Sequence, residues 1–153
     1  MTLRPPVPSF AETAAAFDRR SGDYDRSGMH REFARQAADA AGLSPGLTLL
    51  DLAGGTGLVA RAALPALGPD GRAVVLDVSS GMLLRAKQAD PRLHVVRGDA
   101  HRVPLAAATV DRVICVTALH LFTQPAGALL EAVRVCRAGG RVVFTTWSAD
   151  GWT

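Results

Sequence analysis

The sequence has few of the features that mark disulfide-rich, membrane-spanning or secreted proteins. Its two cysteines, Cys115 and Cys136, have no CxxC or CxxxH partner, so neither a disulfide framework nor a cysteine zinc site is expected. No apolar run approaches the length needed to cross a bilayer, and residues 1–10 are proline-rich without the apolar core of a signal peptide. We therefore expect no membrane partner and a cytoplasmic location.

Lysine is also scarce. Lys87 is the single lysine among 17 basic residues, and 14 acidic residues leave a net charge of only +3. The arginines are scattered among acids and form no basic stripe, which argues against a nucleic-acid partner. The 153 residues are 48% apolar and 20% charged, which is typical of one folded domain with a sizeable core.

Hydrophobic periodicity divides the chain into two parts within a single structural domain. Residues 1–46 are predicted to form an N-terminal helical lid or cap, with a polar break at 21–28. In residues 47–153, predicted strands alternate with predicted helices, which is typical of a cofactor-binding core. The predicted strands are near-continuous runs of Val, Ile and Leu, as expected when helices cover both faces of a sheet. This favours an α/β fold with a doubly wound, mostly parallel sheet of about five strands. The predicted strands are 47–52, 73–76, 93–96, 110–116 and 141–146, and the core helices are 57–67, 79–87 and 125–136.

The fifth predicted strand lies close to the last residue of the sequence. Val142, Val143 and Phe144 are then expected at an edge of the sheet, where exposed apolar backbone favours pairing with another chain. Three interpretations stay open: a truncated sheet, an edge covered by the tail with Trp147 and Trp152, or a homodimer formed through the exposed fifth strand.

A glycine-rich turn follows the first predicted strand. Residues 55–60 (GTGLVA) satisfy the pattern G-x-G-x-x-A, and Asp77 comes twenty positions after Gly57. Glycines let the backbone approach a ligand closely, and an acid at the end of the second strand is placed to bind both ribose hydroxyls. The alternative for Asp77 is a helix cap or a solvated turn acid.

Two further acids separate the candidate cofactors. Asp51, directly before the glycine loop, repels a dinucleotide's pyrophosphate but attracts a ligand that carries an ammonium and a sulfonium. Asp99, which closes the third strand, is placed to accept a hydrogen bond from an adenine amino group. S-adenosyl-L-methionine carries all of these groups and is the predicted cofactor. The G-x-G-x-x-A pattern keeps an NAD-dependent oxidoreductase as a weaker alternative.

Several ordered motifs then point to one family. They are LDLAGGTG (50–57), DVSSGML (77–83), GDA (98–100) with VPL (103–105), VDRVI (110–114) and EAVRVCRAGG (131–140). Over residues 17–147 the chain resembles the class I S-adenosylmethionine-dependent methyltransferases, and most of all the small-molecule branch that includes the ubiquinone/menaquinone-biosynthesis type. The resemblance implies a Rossmann-like fold.

The resemblance also implies residue roles. Asp51 and the backbone at 53–55 face the methionine part of the cofactor, Asp77 holds the ribose, Asp99 and the Ala100 amide bind adenine, and Val116 and Thr117 offer carbonyls to the ammonium. Tyr24, beside Asp25 in the polar break, is either a lid over the cofactor's carboxylate or a plain surface tyrosine. The predicted cofactor-binding set is Asp51, Ala53, Gly54, Gly55, Gly57, Asp77, Val78, Met82, Asp99, Ala100, Val116, Thr117 and Tyr24.

The chain departs from the family pattern at two points. Ala53 replaces the first glycine of Asp-x-Gly-x-Gly-x-Gly, and its methyl group narrows the pocket if φ is positive there. The family sheet continues past the fifth strand with a helix pair and an antiparallel hairpin, so a C-terminally shortened sheet is expected here.

His120, just past the fourth strand, is the catalytic candidate. One interpretation is a general base that deprotonates an acceptor hydroxyl, and the other is a helix-end histidine bonded to the backbone. No metal is predicted, because His30, His94 and His101 lack metal-ligand spacing.

The sequence thus predicts a methyltransferase that uses S-adenosyl-L-methionine and acts on a small, partly apolar acceptor. A non-catalytic or truncated cofactor-binding module that pairs through its fifth strand is the main alternative.

Overall fold

The computed structural model describes residues 8–147, in which five parallel strands form one sheet. The strand order is β3-β2-β1-β4-β5, so the chain steps outward from β1 to β3 and then returns to the other side of β1. This confirms the predicted doubly wound α/β sheet and opens a crevice beyond the carboxyl ends of β1 and β4, where such sheets bind ligands. The strands are β1 Thr48–Leu52, β2 Arg72–Asp77, β3 His94–Arg97, β4 Val110–Cys115 and β5 Cys136–Phe144.

Five α-helices surround the sheet, and serine caps begin three of them. Ser9 forms a capping box with Glu12, and the side chains of Ser27 and Ser79 accept the N–H groups of His30 and Met82. The helices are α1 Phe10–Arg20, α2 Gly28–Ala40, α3 Leu58–Leu67, α4 Ser80–Ala89 and α5 Pro125–Val135, with short 3₁₀ helices at Tyr24–Arg26 and Leu119–Leu121.

The core has one apolar layer on each face of the sheet. On one face, Leu49 and Val75 pack with α3 and α4, and on the other, Leu50 and Leu76 pack with α5. Helix α2 belongs to the first layer, because Ala34 and Ala37 on its inner face and Ala41 just after its end are buried there. The boundary drawn at residue 46 therefore does not separate two packing units, and only α1 with the Tyr24–Arg26 turn lies outside these layers as a candidate lid.

Strand β5 occupies the sheet edge, as expected, but it begins earlier than the sequence pattern indicates. The helix was expected to reach Cys136 and the strand to start at Arg141, whereas β5 already pairs with β4 at Cys136 and resumes regular pairing at Arg141 after a register shift. Only a glycine fits at position 140 in this arrangement, since a Cβ there would lie 2.4 Å from the Cys136 sulfur and 2.7 Å from the Asp111 carbonyl oxygen. Residues 137–140, which the sequence pattern places between the helix and the strand, therefore belong to β5.

The tail beyond β5 contacts α2. The Trp147 ring meets the Phe33 ring edge-on, with centroids 5.9 Å apart. Trp147 is 42% exposed, so it covers part of α2 while remaining open to solvent. Trp152, the other tryptophan considered as a cover for the edge, lies outside the described residues. Within the part of the chain that the structure describes, every helix is too short or too polar to cross a bilayer.

Candidate functional site

Left-handed backbone recurs just after the carboxyl ends of β1 and β4. In the glycine loop after β1, Ala53, Gly55 and Gly57 have φ values of +54°, +56° and +75°, and Thr117 after β4 has +52°. Left-handed φ is costly for a residue with a Cβ, and such strain is typical of ligand-binding sites. The Thr117 N–H donates to Oγ1 of Thr145 at 2.8 Å, which holds this turn against the end of β5. The Ala53 methyl group was expected to narrow the pocket if φ is positive at this residue, and φ is positive here.

Asp77, the last residue of β2, joins the glycine loop to α4. Its Oδ2 accepts the Gly55 N–H at 2.9 Å and its Oδ1 accepts the Ser79 N–H at 2.8 Å. Burial raises the pKa of this carboxyl, although the two backbone hydrogen bonds oppose the shift. A carboxylate has about four lone-pair sites, so two remain for a ligand. Asp77 is 8% exposed and is therefore not a solvated turn acid.

Asp51 is a buried acid with one oxygen unsatisfied. It is 1% exposed; its Oδ2 accepts the Ala60 N–H at 3.0 Å, while its Oδ1 has no hydrogen-bond partner among the described residues. Desolvation raises the pKa of this carboxyl to about 7, and the charge of Asp77 adds to the increase. Gly54 permits this arrangement, since a Cβ there would lie 2.5 Å from Cγ of Asp51. Such a carboxylate needs a cation or a donor as its partner.

Two adjoining cavities occupy the crevice. The larger holds about 830 Å³ and the smaller about 380 Å³, both counted with their open mouths. The larger cavity is lined by Asp77 and Asp99, and the smaller one by Asp51. Both are lined by the same five residues where they meet: Tyr24, Ala53, Gly55, Val116 and Thr117. One elongated ligand can therefore extend through both.

His101 engages Asp99 at the far end of the larger cavity. Oδ1 of Asp99 accepts the His101 N–H at 2.9 Å and lies 2.6 Å from Nδ1 of the same histidine, while Nε2 accepts the Gln124 N–H at 3.3 Å. This pattern fits a ring protonated at Nδ1, and it connects the end of β3 to the start of α5. No described residue donates to Oδ2 of Asp99, which leaves that oxygen for a ligand donor.

Two acids attach the N-terminal segment to the rim of the crevice. Oδ1 of Asp18 accepts hydrogen bonds from Oγ of Ser79 at 2.6 Å and from the Gly81 N–H at 2.8 Å, at the start of α4. Asp25 accepts a hydrogen bond from Thr56 in the glycine loop and pairs with Arg61 of α3 at 2.6 Å. Helix α1 and the Tyr24–Arg26 turn are therefore fixed over the carboxyl ends of β1 and β2.

Tyr24 lies where the two cavities meet. Its ring contacts Phe17 edge-on at 6.3 Å and stacks on His30 at 4.5 Å with 14° between the planes. Burial raises the pKa of the phenol, so the hydroxyl stays neutral near pH 7 and can donate a hydrogen bond.

The crevice brings together most of the residues predicted to bind a cofactor. Twelve of them line one or both cavities: Tyr24, Asp51, Ala53, Gly54, Gly55, Asp77, Val78, Met82, Asp99, Ala100, Val116 and Thr117. Gly57 lines neither cavity; a Cβ there would lie 2.9 Å from Leu93, so this glycine serves the close packing of α3 on the sheet. His120 is exposed on the Leu119–Leu121 helix and also lines neither cavity.

Sequence patterns missed two histidines and the aromatic wall of the cleft. His101 lines the larger cavity and His30 the smaller, although neither has metal-ligand spacing. The position of His101, two residues after a strand-end acid, was the available signal, whereas nothing local marked His30. Phe10, Phe17 and Phe122 line the larger cavity. Across residues 8–147, no three His, Cys, Asp or Glu side chains are grouped closely enough to hold a metal ion.

Comparison with known proteins gives a consistent result. The chain is 36% identical over 148 residues to the demethylmenaquinone methyltransferase of Beutenbergia cavernae, covering 92% of this chain and 60% of that protein. It is 31% identical over 148 residues to the ubiquinone/menaquinone biosynthesis C-methyltransferase of Ectopseudomonas mendocina, covering 93% and 57%. The chain thus spans between half and two thirds of the length of these relatives.

A solved structure has the same fold as this chain at a lower sequence identity. The SAM-dependent methyltransferase of Aquifex aeolicus superposes with a TM-score of 0.71 at 20% identity, over 88% of this chain and 73% of that one. At this identity the likeness shows the fold alone. A family model described as a methyltransferase domain matches residues 50–144. That match runs from β1 to β5 and includes the glycine loop, Asp77 and Asp99, so the chain belongs to the methyltransferase domain family.

Proposed function

We propose that the protein binds S-adenosyl-L-methionine along the two adjoining cavities and transfers its methyl group to a small, partly apolar acceptor. The observation that carries this proposal is the unpartnered carboxylate oxygen of Asp51 in the smaller cavity, with Asp77 in the adjoining larger one. A buried acid without a partner selects a cationic group, and an acid at the end of β2 suits ribose hydroxyls.

The other lining residues fit the remaining parts of the same cofactor. Oδ2 of Asp99 and the Ala100 amide would bind the adenine, with Met82 and Val78 forming apolar walls. The carbonyls of Val116 and Thr117 would join Asp51 around the ammonium. A dinucleotide fits less well, because its pyrophosphate would face the buried charge of Asp51.

The protein needs to align the cofactor with the acceptor and to exclude water from the site. When bound, S-adenosyl-L-methionine supplies a methyl group that its sulfonium has already activated. Helix α1 and Tyr24 cover the crevice, which holds the reacting groups together and keeps water out. Neither His120 nor His101 is placed as a free base, since His120 lies outside the cavities and both ring nitrogens of His101 are engaged; His30 lies in the smaller cavity beside Asp51. We therefore assign no general base.

An apolar acceptor is supported by the walls of the larger cavity. Phe10, Leu121 and Phe122 line it on the side formed by α1 and the segment after β4. The relatives named for demethylmenaquinone and for ubiquinone/menaquinone biosynthesis support an acceptor with an apolar ring or chain. We propose no membrane or nucleic-acid partner, and the cytoplasmic location stays a prediction.

A ligand panel followed by a transfer assay tests this function. S-adenosylhomocysteine at a hundred times its Kd should stabilise the protein by about 2.7 kcal/mol, whereas NADH at equal concentration should leave the melting temperature unchanged. Incubation with S-adenosyl-L-methionine and a panel of demethylated quinols should then release S-adenosylhomocysteine. Stabilisation by NADH alone would indicate an oxidoreductase, and binding without transfer to any acceptor would support the non-catalytic module.

Pairing through β5 is a second proposal, carried by the position of this nine-residue strand at the sheet edge. An open strand edge offers unpaired N–H and C=O groups to a second copy of the chain. Light scattering over a range of concentrations should then give twice the 16.0 kDa mass of the chain. A constant single-chain mass would contradict the pairing and leave the cofactor site unaffected.

A further inference from the structure

The smaller cavity contains a second buried polar atom without a partner. Nδ1 of His30 is buried and makes no hydrogen bond to any described residue, as is also true of Oδ1 of Asp51. Both residues line the same cavity of about 380 Å³. Buried polar atoms in folded proteins are nearly always hydrogen-bonded, so two of them in one cavity indicate a ligand that bonds to both.

We propose that His30 binds the carboxylate of the amino-acid end of the cofactor, opposite the ammonium held by Asp51. This inference rests on the proposed function, and it makes His30 the residue that distinguishes an α-amino acid from a simple amine. An imidazole nitrogen can donate to a carboxylate, whereas the oxygen of Asp51 accepts from an ammonium. The two atoms together complement a zwitterion.

The surroundings of His30 hold the ring in place for this contact. His30 lies in the first turn of α2, where Ser27 Oγ accepts its N–H at 3.3 Å, and its ring stacks on Tyr24 at 4.5 Å. The amino end of a 13-residue helix carries partial positive charge, which favours an anion beside it. The nearest acid on the preceding turn, Asp25, pairs with Arg61 and so offers less repulsion to a carboxylate.

Other ligands match this cavity less well. A carboxylate without an ammonium would face the buried acid Asp51, and an amine without a carboxylate would leave Nδ1 of His30 unpaired. A ligand that ends at the ribose would leave both atoms unpaired. The cavity therefore selects the complete amino-acid end of S-adenosylhomocysteine over a shortened nucleoside.

Titration calorimetry with three ligands tests this role. Wild-type protein is titrated with S-adenosylhomocysteine, with its decarboxylated analogue and with 5′-methylthioadenosine, which lacks the amino-acid end. Wild type should prefer S-adenosylhomocysteine to the decarboxylated analogue by about tenfold to a hundredfold. His30→Ala should remove that preference by weakening only the first ligand, and His30→Asn should restore part of it because its amide can donate near the position of Nδ1.

The controls separate this role from packing and from failure of the proposed function. His94→Ala, on an exposed residue of β3, should leave all three affinities unchanged. Equal weakening of the first two ligands by His30→Ala, or no preference in wild type, would overturn the inference while the cofactor site stands. If wild type binds neither S-adenosylhomocysteine nor 5′-methylthioadenosine, the proposed function fails and the inference with it. If His30→Ala does not fold, the wild-type preference and His30→Asn decide.

Discussion

Replacement of Asp51 by asparagine is expected to stabilise the ligand-free protein above pH 7 and to weaken its binding of S-adenosylhomocysteine. Burial raises the pKa of the Asp51 carboxyl from 3.8 to about 7. The folded state therefore holds this proton more tightly than the unfolded state does. The contribution to stability is complete below pH 3.8 and is lost as the pH rises through about 7.

The size of this effect follows from the same pKa change. The difference between 3.8 and about 7 corresponds to on the order of 4 kcal/mol of unfolding free energy. In Asp51→Asn the amide oxygen can still accept the Ala60 N–H, and no buried charge remains. We expect a melting temperature about 5–15 °C higher than wild type at pH 8 and little difference at pH 4. Affinity for S-adenosylhomocysteine should fall about tenfold to a hundredfold, because the ammonium loses its anionic partner.

Thermal denaturation of both proteins from pH 4 to pH 8 measures the first effect, and calorimetric titration the second. Asp70→Asn provides a matched control, since Asp70 is exposed on the turn before β2. Parallel stability curves for wild type and Asp51→Asn would show that Asp51 is not the titrating group. Unchanged affinity would show that the ammonium binds elsewhere.

Replacement of Asp77 by alanine is expected to damage both the glycine loop and ligand binding. The carboxylate accepts the N–H groups of Gly55 and Ser79, so its removal leaves two buried donors without partners. Each buried unpaired donor costs about 1–3 kcal/mol, which lowers the melting temperature. Binding of S-adenosylhomocysteine should weaken by a further 1.5–3 kcal/mol, or about 10–150-fold, because the ribose hydroxyls lose a charged acceptor.

Asp77→Asn separates the two contributions. Its amide oxygen can keep one of the two backbone hydrogen bonds, so this variant should lose less stability than Asp77→Ala while still losing affinity. Circular dichroism melts and calorimetric titration provide the two measurements, with Asp70→Ala as the exposed control. If affinity is unchanged in a folded Asp77 variant, the carboxylate does not bind the ribose.

Much of the architecture was readable from local sequence patterns. Apolar runs bounded by glycine, proline and acids predicted five strands in the right order along the chain, because strands buried on both faces have a simple composition. The predicted start of β5 was wrong by five residues. A Cβ at Gly140 would lie 2.7 Å from the Asp111 carbonyl oxygen of β4, and the local pattern cannot show such a contact between strands. The packing of α2 into the core could not be predicted either, because the spacing of its alanines does not show which element the helix packs against.

Some residues of the candidate site could likewise be predicted from the sequence, and others could not. Asp51, Asp77 and Asp99 could be selected from the sequence because each follows or ends an apolar run, and the carboxyl ends of parallel strands meet at one edge. His120 was selected by the same logic, but the chain turns after β4 and leaves this side chain exposed. His30 could not be selected at all, because it reaches the crevice from a helix that precedes the first strand.

The sequence by itself determined the alternation of strands and helices, the glycine turn and the row of strand-end acids, because these depend on residue type and short-range spacing. Tertiary structure alone decided that Asp51 is buried with one oxygen unpaired, that His101 engages Asp99, and that Tyr24 and His30 complete the wall of the smaller cavity. The physical reason is that burial, and therefore the need for a partner, is set by residues distant in the chain. The hydrogen-bonding state of each acid follows from that packing.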